Sequence, residues 1–261
     1  MEQDLASKTA LVTGSGRNIG RAVALEFAAR GANVIVNSRT NREEVDAVAK
    51  EARDLGVGVI AAVGDISQQE TIDEIAAQAK EQFGGVDIYV SNAAIRPFQS
   101  FFDLTVDDWL SVLNTQLNAS FRLAKTFVPG MVEKKWGRII HITGPDAFLG
   151  LSHRAHNVTA KGGLRALTKS LAIELGPFGI TVNDVAPGAI DTIKNDASHP
   201  HVTKLGAPDE NHRGEVIGRI PVGRLGTPED LAYACGFLAS PRAGFITGTV
   251  LPVFGAQWNV G

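Results

Sequence analysis

"TGSGRNIG", residues 13–20, decides how the rest of this chain is read. It follows a short apolar run, "TALV", and precedes a stretch with helical apolar spacing, "RAVALEFAARG". Gly14, Gly16 and Gly20 therefore fall in a strand-to-helix turn. Glycines there let the backbone turn tightly and approach a ligand, and the helix N-terminus beyond offers unpaired N–H groups and a positive dipole end to an anion. A glycine cluster alone is common structural punctuation. At the first βα turn of a chain it reads as a pyrophosphate cradle.

Outward from this turn, short apolar runs alternate with longer segments of helical period. "TALVTG", "NVIVNS", "GVIAAVGD", "VDIYVSN", "GRIIHIT", "ITVNDVAP" and "TVLPVF" read as strands. They are continuously apolar rather than alternating, as expected of parallel strands covered on both faces. Capping pairs announce several helices: Ser67 with Glu70, Thr105 with Asp108, Asn41 with Glu44, and Thr227 with Asp230 behind Pro228. Gly176-Pro177 is expected to close a long helix beginning near Ser152. This βαβα order predicts a doubly wound parallel α/β sheet of Rossmann type, a single domain over residues 1–261. Only residues 191–220 break the rhythm; polar and rich in Pro, Gly and His, they are expected to form a mobile substrate flap.

Bulk composition narrows the function. A hydrophobic fraction of 44% in 261 residues suffices for one large core, and a net charge of −3 gives no reason to expect nucleic acid or a membrane surface as partner. No basic stretch precedes an apolar run before the first strand, and no apolar run is long enough to span a bilayer. The single cysteine, Cys235, excludes an internal disulfide, so a reducing cytoplasm is expected. His153 and His156 lack a third ligand in the sequence around them, so no metal site is expected.

The ordered series "TGSGRNIG", "GDIS", "SNAA", Lys161, "APGAIDT" and "TGTVLPVFGA" resembles the short-chain dehydrogenase/reductase family along essentially the whole chain. The resemblance implies that Gly14, Arg17, Ile19 and Gly20 line a pyrophosphate and adenosine. It implies that Asp65 and Ile66 meet an adenine, Asn92 the adjoining ribose region, and Ile190 and Thr192 a nicotinamide amide. Asn18 replaces the family's middle glycine, and Ser91 and Ala94 soften its N-N-A-G motif. Relatives that use NAD end the second strand with an Asp; here Ser38 stands there, followed by Arg39. Arg17 and Arg39 without an acid favour a 2′-phosphate, hence NADP(H) over NAD(H).

The family's catalytic set is Asn, Ser, Tyr and Lys, of which tyrosine exchanges the proton. Placed on this chain, the set falls on Gln116, Gly144, Asn157 and Lys161, so only the lysine matches. Tyr89 and Tyr233 are the two tyrosines of the chain, one in a strand and one in a late helix, and an amide at 157 has no proton to give. Three readings follow. The first is an atypical oxidoreductase for a small carbonyl or alcohol, with His156, Asp146 or Thr143 near the vacated positions and Lys161 and Gln116 kept in the site. Arg96 and Arg154 would then suit an anionic substrate group. The second is a non-redox lyase or hydrolase on the same scaffold. The third is a catalytically silent subunit of a hetero-oligomeric dehydrogenase. The resemblance implies dimers or tetramers, a homotetramer among them, built through helices near Thr105–Lys135 and Ser152–Gly176. The oxidoreductase is the reading expected here.

Overall fold

The computed structural model describes residues 3–192 and 210–258. Each apolar run named above becomes a strand: β1 (Thr9–Val12), β2 (Asn33–Ser38), β3 (Val59–Val63), β4 (Ile88–Ser91), β5 (Gly137–Ile142), β6 (Ile180–Pro187) and β7 (Val250–Val253). They form one seven-stranded sheet in the order β3-β2-β1-β4-β5-β6-β7, and every pairing is parallel. The connecting helices are α1 (Asn18–Ala29), α2 (Arg42–Asp54), α3 (Gln69–Phe83), α4 (Val106–Leu113), α5 (Ala119–Lys134), α6 (Ala155–Leu175), α7 (Glu210–Gly218) and α8 (Pro228–Ala239). This is the single-domain doubly wound α/β fold expected from the sequence.

Period-two alternation sorts the strand side chains onto two cores. Val12, Val34, Val36, Val90 and Ile140 pack with Phe27 of α1 and Leu231 and Leu238 of α8. Their neighbours Leu11, Ile35, Tyr89, Ile139 and Val182 pack on the other face with Ile72 and Ile75 of α3, Leu123 and Phe127 of α5, and Leu175 of α6. Each such side chain contributes about 1.5–3 kcal/mol on burial, so both helical layers are held by the same strands.

Local signals were kept where side chains close the cap. Thr105 and Thr227 form reciprocal boxes with Asp108 and Asp230, and Asn41 accepts from the Glu44 amide. The Ser67–Glu70 box does not form. The Asp65 carboxylate takes the Ser67 N–H at 2.9 Å, and α3 starts two residues later with Gln68 at the N-cap. Gly176 does not end its helix in a left-handed turn: a 3₁₀ turn, Gly176–Phe178, follows α6, and Gly179 at φ 75° makes the exit. α6 also begins at Ala155 rather than Ser152.

Of the segment 191–220 expected as a flap, residues 193–209 lie outside the described residues. In the described part of that segment, Arg213 of α7 makes a bidentate ion pair with Asp191, at 3.1 and 2.5 Å. No described helix is long and apolar enough to cross a membrane.

Strand order reverses between β1 and β4, which opens a crevice at the carboxyl ends of the strands. Thr13, Ser38, Asn92, Thr143 and Gly188 all stand at that edge. The candidate site is built there.

Candidate active site

The glycine turn is shaped by backbone that no other residue type would fit. Gly14 adopts φ 62°, and a Cβ on Gly20 would stand 2.3 Å from the Gly14 carbonyl and 2.6 Å from Asn92 Nδ2. Asn18 sits at φ 50°, the left-handed region that asparagine tolerates best after glycine, which explains how it replaces a glycine here. Arg17 is the N-cap of α1 and carries no acceptor, so its side chain does not cap the helix. A twelve-residue helix thus presents its first N–H groups and positive end to the crevice, beside a backbone brought close by glycines. That cradle fits a pyrophosphate.

Behind it, polar side chains hold the turn rather than face a ligand. Asn92 Nδ2 donates to the Thr13 and Gly14 carbonyls at 2.9 and 3.0 Å. Thr13 Oγ1 accepts from the amides of Asn92 and Ala93. Asn37 Oδ1 accepts from the Gly14 amide, and its Nδ2 donates to the Gly64 carbonyl at 3.1 Å. Asn92, expected near a ribose, has its amide committed to the turn. Around the cradle, Ile19 and Ile66 are buried, Asp65 is half-buried and Arg39 is exposed. Ile190 bridges to Gly226 in front of α8, and Thr192, half-buried, closes the first described stretch.

Sequence reasoning missed one charged group. Glu44, in the first turn of α2, places its Oε1 3.8 Å from Arg17 Nη1, at the edge where β2 was read as lacking an acid. Its pairing with Asn41 was the available signal, because that cap fixes the first turn of α2 against the glycine turn.

The chemistry end is built differently. A π-helical segment, Asn114–Asn118, joins α4 to α5 and carries Gln116 into the interior. Gln116 Nε2 donates to the Ile95 carbonyl at 2.9 Å and to Asn157 Oδ1 at 3.1 Å. Asn157 Nδ2 donates to Asp146, whose carboxylate also takes Arg154 at 3.1 Å. Gln116, Asn157, Asp146 and Arg154 thus form one chain of hydrogen-bonded side chains, the first three buried. The Arg154 guanidinium also lies 4.7 Å from the Phe98 ring centroid, and its Nε is buried without a partner.

Lys161, one turn beyond Asn157 on α6, is buried, with Nζ donating to the Ile142 carbonyl at 2.7 Å. Burial first, and then the Arg96 charge, push its pKa down to about 7. Gly144 adopts φ 132° and ψ −179°, and the nearest atom to an added Cβ is the Pro187 carbonyl at 3.9 Å. There is room for a side chain, but the backbone conformation suits only glycine.

Two expected participants have their side chains engaged with nearby backbone. The His156 ring is fully buried, its Nδ1 accepts the Asn157 amide N–H at 2.8 Å, and burial lowers its pKa. A neutral ring accepting at Nδ1 keeps its proton on Nε2, which is buried without a partner. His156 is therefore not brought into the Asp146–Asn157 chain, because position 156 turns about 100° from 157 on the helix. Thr143 Oγ1 points at the Val185 carbonyl, 3.4 Å away within the sheet. Arg96 lies near enough to Lys161 for its charge to act there, and burial lowers its own pKa. Tyr89 is buried, its hydroxyl facing the Ser120 carbonyl, and Tyr233 is exposed on α8. Among the described residues no group of three His, Cys, Asp or Glu side chains is placed to hold a metal.

A family model described as enoyl-(acyl carrier protein) reductase matches residues 14–255. The chain is 37% identical over 254 residues to a 3-oxoacyl-acyl-carrier-protein reductase of Pseudomonas aeruginosa, covering 97% of this chain and 98% of that protein. It is also 37% identical to subunit BbsD of a hydroxy(phenyl)methylsuccinyl-CoA dehydrogenase of Thauera aromatica, covering 97% of each. A crystal structure assigned as a gluconate dehydrogenase of Agrobacterium tumefaciens superposes with a TM-score of 0.88 at 30% identity, over 98% of both chains.

Proposed function

Because the chain belongs to the short-chain dehydrogenase/reductase family, we propose that it is an NADP(H)-dependent oxidoreductase for a small carbonyl or alcohol that carries an anionic group, and that it works without a tyrosine acid. The observation that carries this reading is the glycine cradle, where a Cβ at residue 20 would meet the Gly14 carbonyl at 2.3 Å. A turn kept this tight at the N-terminus of α1 supports entry of a phosphate-bearing ligand, which the helix end would hold.

The dinucleotide, when bound, supplies or accepts the hydride. Gly14, Ile19 and Gly20 would hold its pyrophosphate end, Arg17 and Arg39 a 2′-phosphate, Asp65 and Ile66 its adenine, and Ile190 and Thr192 its amide. Lys161 serves as the proton-exchanging group: with a pKa near 7 it both gives and takes a proton at Nζ at neutral pH, which is where a general acid is most effective. Asp146 is held by Asn157 and Arg154 and fixes their positions, and Gln116 orients Asn157 from behind. Arg154 and Arg96 meet the anionic group of the substrate. His156 and Thr143 support the walls.

A second reading has its own observation. Every polar side chain at the tetrad positions, Gln116, Asn157 and Lys161, already bonds another protein group, as in a site sealed rather than poised, and one relative is named as a subunit of its enzyme. On this reading the chain is the silent member of a hetero-oligomer. Exposed Val106, Leu110, Phe121 and Ile173 on α4, α5 and α6 support an oligomer under either reading.

Titration of the purified chain with NADPH and NADH, followed by NADPH oxidation with keto acids and matched neutral ketones, separates the two. The enzyme reading expects NADPH binding and turnover biased to the acids. Binding with no turnover, restored by a co-purifying relative, supports the silent subunit. Absence of binding removes hydride chemistry.

A further inference from the structure

We propose that Glu44 sets how this site treats the adenosine 2′ position, balancing a 2′-hydroxyl against a 2′-phosphate; the inference rests on the dinucleotide reading above. β2 ends in Ser38 with no carboxylate, which left Arg17 and Arg39 as the charges to be weighed. The fold returns an acid from another element. Glu44 is the third residue of α2, and its amide donates to Asn41 Oδ1 at 3.1 Å. In a reciprocal cap the acid side chain would reach back to the N-cap amide. Here the Asn41 amide donates to Ser38 Oγ at 3.0 Å, so the Glu44 carboxylate is released from capping.

It lies instead against the glycine turn. A methyl built on Gly16 would stand 3.1 Å from Glu44 Oε2 and 3.6 Å from Ser38 Cβ, and Arg17 Nη1 is 3.8 Å from Glu44 Oε1. Gly16, Ser38, Arg17 and Glu44 thus converge on the edge between the turn and the second strand, the edge where this fold holds the ribose 2′ group. A carboxylate there accepts from a hydroxyl and repels a phosphate, whereas a guanidinium does the reverse. With the hydroxyl ligand, Glu44 accepts and keeps Arg17. With the phosphate ligand, Arg17 changes partner and Glu44 offsets part of the gain. The pair therefore admits both dinucleotides with a moderated preference for the phosphorylated one.

Wild type, Glu44→Gln and Arg17→Gln are titrated with NADPH and NADH by calorimetry, with thermal melting to show that each variant is folded. Glu44→Gln is expected to tighten NADPH and weaken NADH, moving the ratio of dissociation constants by about tenfold, the factor that corresponds to about 1.4 kcal/mol. Arg17→Gln is expected to move it the other way. If both cofactors bind and Glu44→Gln leaves the ratio within about twofold of wild type, the role of Glu44 is overturned while the dinucleotide reading stands. If wild type binds neither cofactor, that reading falls and takes this inference with it.

Discussion

The two ends of the crevice spend their polar groups differently. At the nucleotide end, side chains bond to backbone: Asn92 to the Thr13 and Gly14 carbonyls, Asn37 to Gly14 and Gly64, Thr13 to two amides. At the chemistry end, Lys161 and Gln116 also reach backbone carbonyls, but a run of side chains bonds to one another, from Gln116 through Asn157 and Asp146 to Arg154. A site shaped by backbone is fixed by the fold itself and fails only when the chain path changes. A site made of paired side chains changes its chemistry with each substitution while the surrounding elements stay put. That is why a backbone-built turn and a cluster of paired side chains can vary independently in one molecule.

The sharpest way to break this contrast is at Gly20. Replacement by Ala forces a Cβ to within 2.3 Å of the Gly14 carbonyl, so the turn must open or α1 must shift. We expect a loss of about 3 kcal/mol, the upper range of overpacking costs, together with loss of NADPH binding. Urea unfolding and cofactor titration check both. An Ala variant that kept wild-type stability would show that the nucleotide end yields as easily as the other.

Next in size is the pH behaviour of Lys161. Its folded pKa, near 7, lies below the usual lysine value of 10.5, so between those limits the unfolded chain binds the extra proton. Stability therefore rises with pH across that window, with a slope approaching about 1.4 kcal/mol per pH unit from this group, and the burial penalty is fully present below it. Wild type minus Lys161→Met, measured by denaturant titration from pH 6.5 to 10, isolates the effect. A difference that stays flat with pH would mean that Lys161 keeps its charge in the folded chain and is poorly suited to exchange protons.

Gly144 sharpens the comparison with a smaller effect. Here a side chain has space, since its nearest neighbour would be 3.9 Å away, but φ 132° opposes it. Gly144→Ser is expected to cost about 1–3 kcal/mol through backbone strain alone. Added to Asn157→Tyr, it is not expected to create ordinary carbonyl reductase activity without a local shift at Pro145. Full activity in that double variant would show that the chemistry end is a conventional site lacking two side chains.

How much of this was legible in the sequence follows the same divide. The strands could be read because burial on both faces imposes continuous apolar runs, and the cradle because glycine spacing is a backbone signal. Gln116, Asn157 and Lys161 could be placed by position on a helix, and their neighbourhood with Asp146 and Arg154 followed. What could not be read depended on which way a side chain faces after the fold closes. His156 looked available but its ring takes the Asn157 amide of its own helix, Asn92 braces the turn, and Glu44 comes to the glycine turn from the start of α2, the helix that follows the strand that was searched. The depressed pKa of Lys161 likewise comes from burial and from Arg96, neither of which spacing reveals.

The smallest test concerns two caps that look alike on paper. "NREE" at 41–44 and "SQQE" at 67–70 share an acceptor and an acid three residues apart. Only Asn41 caps: it accepts the Glu44 amide at 3.1 Å, whereas Asp65 has captured the Ser67 amide and moved the start of α3. Asn41→Ala is therefore expected to cost about 1 kcal/mol, and Ser67→Ala less than about 0.5 kcal/mol. Equal losses in urea unfolding would mean that α3 starts at the capping signal after all. A loss at Asp65→Ala that exceeds the loss at Ser67→Ala would locate the helix start in the Asp65 turn, where the carboxylate holds the Ser67 amide at 2.9 Å.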